Sequence, residues 1–404
     1  MTQLTIAAVN RRNLETLRRS PAAEISGALG DLGTFIPLTL ALALRGSIDL
    51  RATLVTSGVF NIVTGGIFGV PLPVQPMKAI VAASLAKPNL PDGAPQAAGF
   101  LVGAALLFLS ATGLIRALAS RVPVPVVRGI QLGTGVMLFM SSTPLLIQSR
   151  LVSLFAALPL LLTFSFRQFP YALVVFLVGA AIGVVTLYRS QGGRDDHHDS
   201  VIPGWSSPGS FLGWFPFGDD ARDLLEEALE MATAQLPLTL LNSVVAVTAL
   251  SADLFPDVPP PTTTALGLSV AAMNLLGAWV GAMPVCHGAG GMAGQFRFGA
   301  RSGASVMMLG VVKVLSGLVF GDVLVRFLGV FPEGILGVML VVAAVELCRA
   351  GLQGLGEEGL EVALMTAAGM VAMRNAAVGF VVGMVWERVG RARDGGEEGR
   401  PLLA

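Results

Sequence analysis

The chain has 404 residues, 53% of them hydrophobic and only 13% charged, and its formal net charge is zero. A soluble domain carries about a quarter charged residues, so this composition excludes a water-soluble globule, and the charge balance gives no sign of a nucleic-acid partner. Apolar runs near the roughly 20 residues that cross a bilayer recur along the whole length, which predicts an all-α polytopic membrane protein.

Met1 to Ser20 is polar, with Arg11, Arg12, Arg18 and Arg19, so no cleavable signal peptide is expected. Leu4, Leu14 and Leu17 give it a weak apolar side, which either lies on the membrane surface or frays. Pro21 to Leu44 reads as the first span, and Glu24, Asp31 and Pro37 are costly inside it. Arg51 to Gly69 is the second span, rich in Gly and Thr and containing Asn61, which suits close packing. Val70 to Ile80 cannot continue as helix, because Pro71, Pro73 and Pro76 each lack an amide hydrogen and clash with the preceding turn. A half-helix to about Leu85, a span from Ala94 to Ala119, and a Pro-rich corner flanked by Arg116, Arg121 and Arg128 follow. Further spans begin at Gly129 to Ser141, Leu151 to Phe164 and Tyr171 to Tyr188. Ser190 to Asp220 is the one long polar loop. Its run Arg194-Asp195-Asp196-His197-His198-Asp199 has the look of a metal tract, but such runs are more often a solvated face, and no metal is expected.

The second half begins with Leu224 to Leu250, a stiff Pro259-Pro260-Pro261 loop, and Thr262 to Val280. Gly281 to Gln295 is again interrupted, by Pro284 and the glycines from Gly288 to Gly294. A half-helix to about Gly299 and spans near Ala304 to Phe320, Val323 to Leu347, Leu360 to Ala372 and Asn375 to Trp386 complete the chain. The tail from Glu387 is charged. Cys286 and Cys348 are the two cysteines, too few for a disulfide framework, and Lys78, Lys87 and Lys313 are the only lysines.

Two short motifs recur in the same order: Ile36-Pro37-Leu38-Thr39-Leu40 as Leu236-Pro237-Leu238-Thr239-Leu240, and Pro73-Val74 as Pro284-Val285. Their separations nearly agree, which predicts two repeats, residues 21–189 and 221–388, either side of the 190–220 loop. Seven segments each make an odd number, so the second copy is inverted. That gives about 12 full spans and two broken half-helix segments. Arginines fall mainly on the side of the N-terminal head (residues 1–20) and the tail (389–404), which places both termini in the cytoplasm.

Broken backbone at membrane depth is tolerated only where it is buried in protein or lines a wet cavity, and a matched pair of breaks points to a transport site. A half-helix that starts mid-membrane leaves its first amide hydrogens unpaired. They carry partial positive charge and hold an anion without any basic side chain. The first break would present Gln75, Met77 and Lys78; the second would present Cys286, His287, Gly288, Ala289 and Gly290, with Gln295 further along. Neither break holds a carboxylate, which favours a small anion rich in acceptor oxygens over a cation. Lys78 could instead snorkel. Cys286-His287 lacks the partners of a metal site or a nucleophilic pair; His287 is better placed as a ligand contact or a proton-sensitive group. Glu24 and Asp31, seven apart, share a face; they are coupling carboxylates, for protons or another ion, or they pair with Lys78 or Arg297. Gln235 and Asn242 lie two turns apart on the matching second-half span and line the same cavity or only pack helices.

Gly27-Ala28-Leu29-Gly30-Asp31-Leu32-Gly33-Thr34-Phe35, Pro73-Val74-Gln75-Pro76-Met77-Lys78-Ala79 and the run from Cys286-His287-Gly288-Ala289-Gly290-Gly291 to Phe298-Gly299-Ala300-Arg301 resemble the signature motifs of the molybdate transporter family of plants, fungi and bacteria. That family is a distant branch of the sulfate permease superfamily, with a fold also like uracil permease. The resemblance implies high-affinity molybdate uptake by alternating access, without enzymatic activity or a cofactor. The oxyanion would lie between the third and tenth segments, with Thr34 among the residues lining the cavity. It implies a core domain of about 21–120 and 221–321, and a gate domain of about 122–189 and 323–388. Sulfate, tungstate or a nucleobase on the same fold is the alternative substrate. It further implies an integral protein of the plasma or vacuolar membrane, and a homodimer is an open option. About fifteen residues follow the last predicted span, so the STAS domain of sulfate permeases is not expected.

Overall fold

The computed structural model describes residues 5–87, 90–148, 150–165, 171–191, 221–319 and 329–393. The long polar loop with its Asp/His run and the last residues of the tail lie outside them. Helix α1 (Ile6–Arg19) is followed by α2 (Pro21–Ala28), a tight turn at Leu29–Asp31, α3 (Leu32–Leu44) and α4 (Leu50–Phe68). Strand β1 (Gln75–Pro76), α5 (Lys78–Ala86), α6 (Ala94–Ala111), α7 (Leu114–Ala119), α8 (Val124–Gln148), α9 (Arg150–Ser165) and α10 (Tyr171–Gln191) complete the first half. The second half has α11 (Ala221–Leu238), a wide π turn at Thr239–Val245, α12 (Ala246–Leu254), α13 (Thr263–Gly277), β2 (Val285–Cys286), α14 (Ala289–Arg297) and α15 (Ala304–Val319). It ends with α16 (Glu333–Leu352), α17 (Glu357–Met373) and α18 (Ala376–Arg393). Among the described residues, seven helices are long and apolar enough to cross a membrane.

Several boundaries differ from the sequence reading for physical reasons. Of the span expected from Val323, residues 323–328 lie outside the described residues; the described helix runs from Glu333 to Leu352, with Pro332 at its N-cap in extended conformation. Ala94 to Ala119 is two helices, separated at Gly113, whose φ of 73° is left-handed. The described part of the N-terminal head is helical rather than frayed. Its helix α1 docks: Asn13 Nδ2 donates to the Gly65 carbonyl and its Oδ1 accepts from the Gly303 amide, both at 3.0 Å. Arg12 donates to the carbonyls of Gly69 (2.8 Å) and Arg301 (3.0 Å). The Gly65 carbonyl also accepts from the Gly69 amide that ends α4 (3.2 Å), and the Gly69 carbonyl from the Gly303 amide (3.0 Å), so Asn13 and Arg12 each add a second donor there.

Glycines set how closely the helices approach. Gly58 and Gly65 on α4 face Gly310 on α15 and Gly303 just before it; a Cβ at Gly58 would lie 2.6 Å from the Gly310 carbonyl oxygen. Small residues at such a seam let backbones meet in a membrane. The most extensive pairings are α4 with α15, α6 with α13 and α11, α8 with α16 and α17, and α17 with α18. Gly129 on α8 sits against Ala363 and Thr366 of α17, and Gly135 against Cys348 of α16.

Candidate functional site

Both interrupted stretches are extended, as their prolines require. They cross as an antiparallel pair, with Gln75 opposite Cys286 and Pro76 opposite Val285. The Met77 amide donates to the Pro284 carbonyl at 3.0 Å. Asn274 of α13 flanks the other edge: its Nδ2 donates to the Val285 carbonyl (2.6 Å), and its Oδ1 accepts from the Val285 amide (2.9 Å). Lys78 opens α5 three residues after Gln75, and Ala289 opens α14 three residues after Cys286. The two half-helices therefore start close together and run apart.

Their first turns are not equivalent. Gln235 of α11 reaches the start of α5, where its Oε1 accepts from the amides of Ala79 (2.8 Å) and Ile80 (3.4 Å). Its Nε2 donates to Thr239 Oγ1 at 2.9 Å. Thus α5 is capped from within the protein, and the polar group left at its start is the partly buried Lys78, whose ammonium forms no ion pair among the described residues. At α14, the amides of Ala289, Gly290 and Gly291 meet no protein acceptor among the described residues. This is the end left open.

Around it, Gln75 Nε2 donates to Asp31 Oδ1. The Gln75 side chain fills the space left by Gly288 and Gly291, where a Cβ on Gly291 would lie 2.6 Å from Asp31 Oδ1. Gln75 Oε1 and Asp31 Oδ2 are buried without partners among the described residues. Met77 is fully buried. Thr34 is buried one turn beyond Asp31. Leu138 of α8 and Leu347 of α16 cover Gly290 from the other side.

The remaining predicted residues are distributed more widely. His287 is buried, with Nδ1 2.9 Å from the Pro73 carbonyl and Nε2 2.9 Å from Ser269 Oγ, so both ring nitrogens are engaged within the protein. The Cys286 thiol is beside Ser243 of the π turn. Asn242, on the same turn, accepts from Thr134 of α8 at 3.3 Å. Gln295 is buried one turn further along α14, its amide group unpartnered among the described residues. Glu24 and Arg297 are not brought to the crossing. Glu24 Oε1 accepts from the Arg301 amide at 2.9 Å, beyond the far end of α14, and Arg297 is in that helix's last turn. One residue that sequence reasoning passed over is Lys313, buried in α15 beneath β1. The signal was present: it is the one ionisable side chain in the apolar run from Ala304 to Phe320.

Comparison with known proteins agrees with this architecture. A family model described as molybdate transporter of the MFS superfamily matches residues 23–138 and 227–347, which contain both breaks. Molybdate transporter 2 of Arabidopsis thaliana is 37% identical, over 93% of this chain and 88% of that protein. Among solved structures, murine Solute Carrier 26 family member A9 superposes with a TM-score of 0.59 at 12% identity, over 92% of this chain and 68% of that one. The transmembrane domain of the cyanobacterial bicarbonate transporter BicA superposes at 0.55 and 16% identity, over 91% of this chain and 98% of that domain. At such identities the two structures speak for the fold alone. The family model spans more than half of the chain and the curated relative covers nearly all of it, so this protein belongs to the molybdate transporter family.

Proposed function

We propose that the protein carries molybdate across the membrane by alternating access, with the oxyanion seated at the crossing of β1 and β2. The observation that carries this reading is the open first turn of α14 beside an unpaired ammonium. The amides of Ala289, Gly290 and Gly291 offer hydrogen bonds and the positive end of a helix dipole, and Lys78 supplies the charge. Gln75, Met77, Cys286 and Gly288 form the surrounding wall. A tetrahedral dianion would exchange its hydration shell for these donors.

The packing supports a division into a core (about 21–120 and 221–321) and a gate (about 122–189 and 323–388), related through two inverted repeats, with both termini cytoplasmic. Gln75 and Cys286, which pair directly, are also equivalent positions when Pro73-Val74 is matched to Pro284-Val285, as an inverted two-fold arrangement requires. One face of α8 turns polar groups toward the core: Arg128 to Asp253, Gln131 to the Ala246 carbonyl, and Thr134 to Asn242. Such hydrogen bonds can be exchanged as two bodies move.

Uptake by molybdate-starved cells expressing the protein, with competing anions, tests the substrate. Tungstate and unlabelled molybdate are expected to compete and uracil is not; inhibition by uracil but not by tungstate removes the oxyanion reading. Lys78→Ala and Gln75→Ala are expected to lower uptake while the protein still folds, and normal uptake in both moves the site elsewhere.

A further inference from the structure

Lys313 is a buried ammonium with no part in the reading above. Its side chain leaves α15 at mid-helix and is 4% exposed. Nζ donates to Asn61 Oδ1 of α4 at 3.1 Å and to the Val74 carbonyl at 3.4 Å, the residue immediately before β1. It also lies 3.6 Å from the centroid of the Phe35 ring. Asp31 lies one turn before Phe35 and is held by Gln75, the residue after Val74, without ion-pair contact to Lys313. The glycine seam allows this reach, because Gly310 lets α15 press against Asn61. Two oxygen ligands, an aromatic face and a nearby carboxylate are what a desolvated cation takes. Here the cation is tethered to the chain.

The charges explain why the crossing needs it. Asp31 is held against Gln75 at the edge of the open α14 turn, where a bare carboxylate would repel a dianion. Lys313 offsets that charge and leaves Lys78 and the α14 amides to set the sign of the field. Without it, Asp31 and Lys78 cancel and the site loses its net attraction. We propose that Lys313 is the resident counter-cation of the oxyanion site, a positioning residue that neutralises Asp31 and anchors the break at Val74. This rests on the oxyanion reading. It makes dianion binding independent of a co-bound metal cation.

The test is molybdate uptake into proteoliposomes by the purified full-length protein, comparing wild type with Lys313→Met, Lys313→Arg and Asn61→Asp. Methionine keeps the length and removes the charge. Aspartate at 61 keeps the size and the contact but cancels the ammonium's charge, so it would strengthen a merely structural strut. Both Lys313→Met and Asn61→Asp are expected to raise KM by about tenfold or more, with Vmax within about threefold, as loss of a nearby unit charge implies. Lys313→Arg is expected to keep KM within about threefold. Should Lys313→Met fail to fold, Asn61→Asp decides alone: a KM within about twofold of wild type overturns the proposal even if Vmax falls. Wild-type protein that takes up no molybdate, tungstate or sulfate overturns the oxyanion reading and this inference with it. Wild-type uptake with an unmoved KM in Asn61→Asp overturns this inference only.

Discussion

A single amide side chain does the work of a third strand at the crossing. Asn274 pairs with both backbone groups of Val285, where the surrounding protein offers no water to replace it. Asn274→Ala leaves a buried N–H and a buried C=O unmet, each costing about 1–3 kcal/mol. A destabilisation of about 2–6 kcal/mol is therefore expected, read as a lower unfolding temperature in detergent, with Asn274→Asp intermediate because it keeps the acceptor. Gly291 is held to glycine by a different constraint. A Cβ there would strike Gln75 and the Asp31 carboxylate, which hold each other in place. Gly291→Ala is expected to cut uptake by at least about tenfold, since overpacking forces neighbours off their positions. Uptake at wild-type level would mean that Gln75 and Asp31 can move freely.

At the scale of elements, the two half-helices are supported unequally. Helix α5 is clamped by α11 at both ends: Gln235 caps its first amides, and Lys87 beyond its last turn donates to Glu227 and Glu230, both at 2.6 Å. Helix α14 has no such cap. Gln235→Ala is expected to destabilise by about 1–3 kcal/mol and to loosen α5, visible as faster amide hydrogen exchange at Ala79 and Ile80. Unchanged exchange there would deny Gln235 its role. The outer clamp is different in kind. Hydrogen bonds to Glu227 and then Glu230 push the Lys87 pKa up. Its stabilisation is therefore complete below the ordinary lysine range and fades as pH rises through the elevated value, so it is constant across neutral pH. This contact lies near the surface and is screened by salt. Glu227→Gln with Glu230→Gln is expected to lower the unfolding temperature by less than Gln235→Ala, and high salt should erase the difference from wild type.

For the whole molecule, the contrast is between glycine seams and one polar surface. Where α4 meets α15 and α8 meets α16 and α17, helices pack through glycines and apolar side chains that leave little room to slide. The face of α8 toward α12 and the π turn carries hydrogen bonds instead, ending at the Arg128–Asp253 ion pair, which is partly exposed. If core and gate move against each other, that pair breaks in each cycle. Arg128→Ala and Asp253→Asn are each expected to lower uptake by about threefold or more, and the reversed pair Arg128→Asp with Asp253→Arg to recover part of it. Failure of the reversed pair, with both single variants fully active, would place the moving surface elsewhere.

The sequence by itself determined the membrane class and the two broken stretches, because prolines and glycines act on the local backbone whatever surrounds them. It also carried the family, through motifs at Asp31, Gln75 and the run after Cys286. It placed the end of the Ala94 helix too late, since apolar content does not stop at a bend. Only the tertiary structure decided that Gln235 occupies the α5 amides, that His287 is spent on Pro73 and Ser269, and that Glu24 belongs to Arg301. It alone brought Lys313 under Val74, 239 positions earlier in the chain. Those outcomes depend on which partner is nearest in space, and hydrogen bonds and charges act over a few ångströms that chain order does not encode.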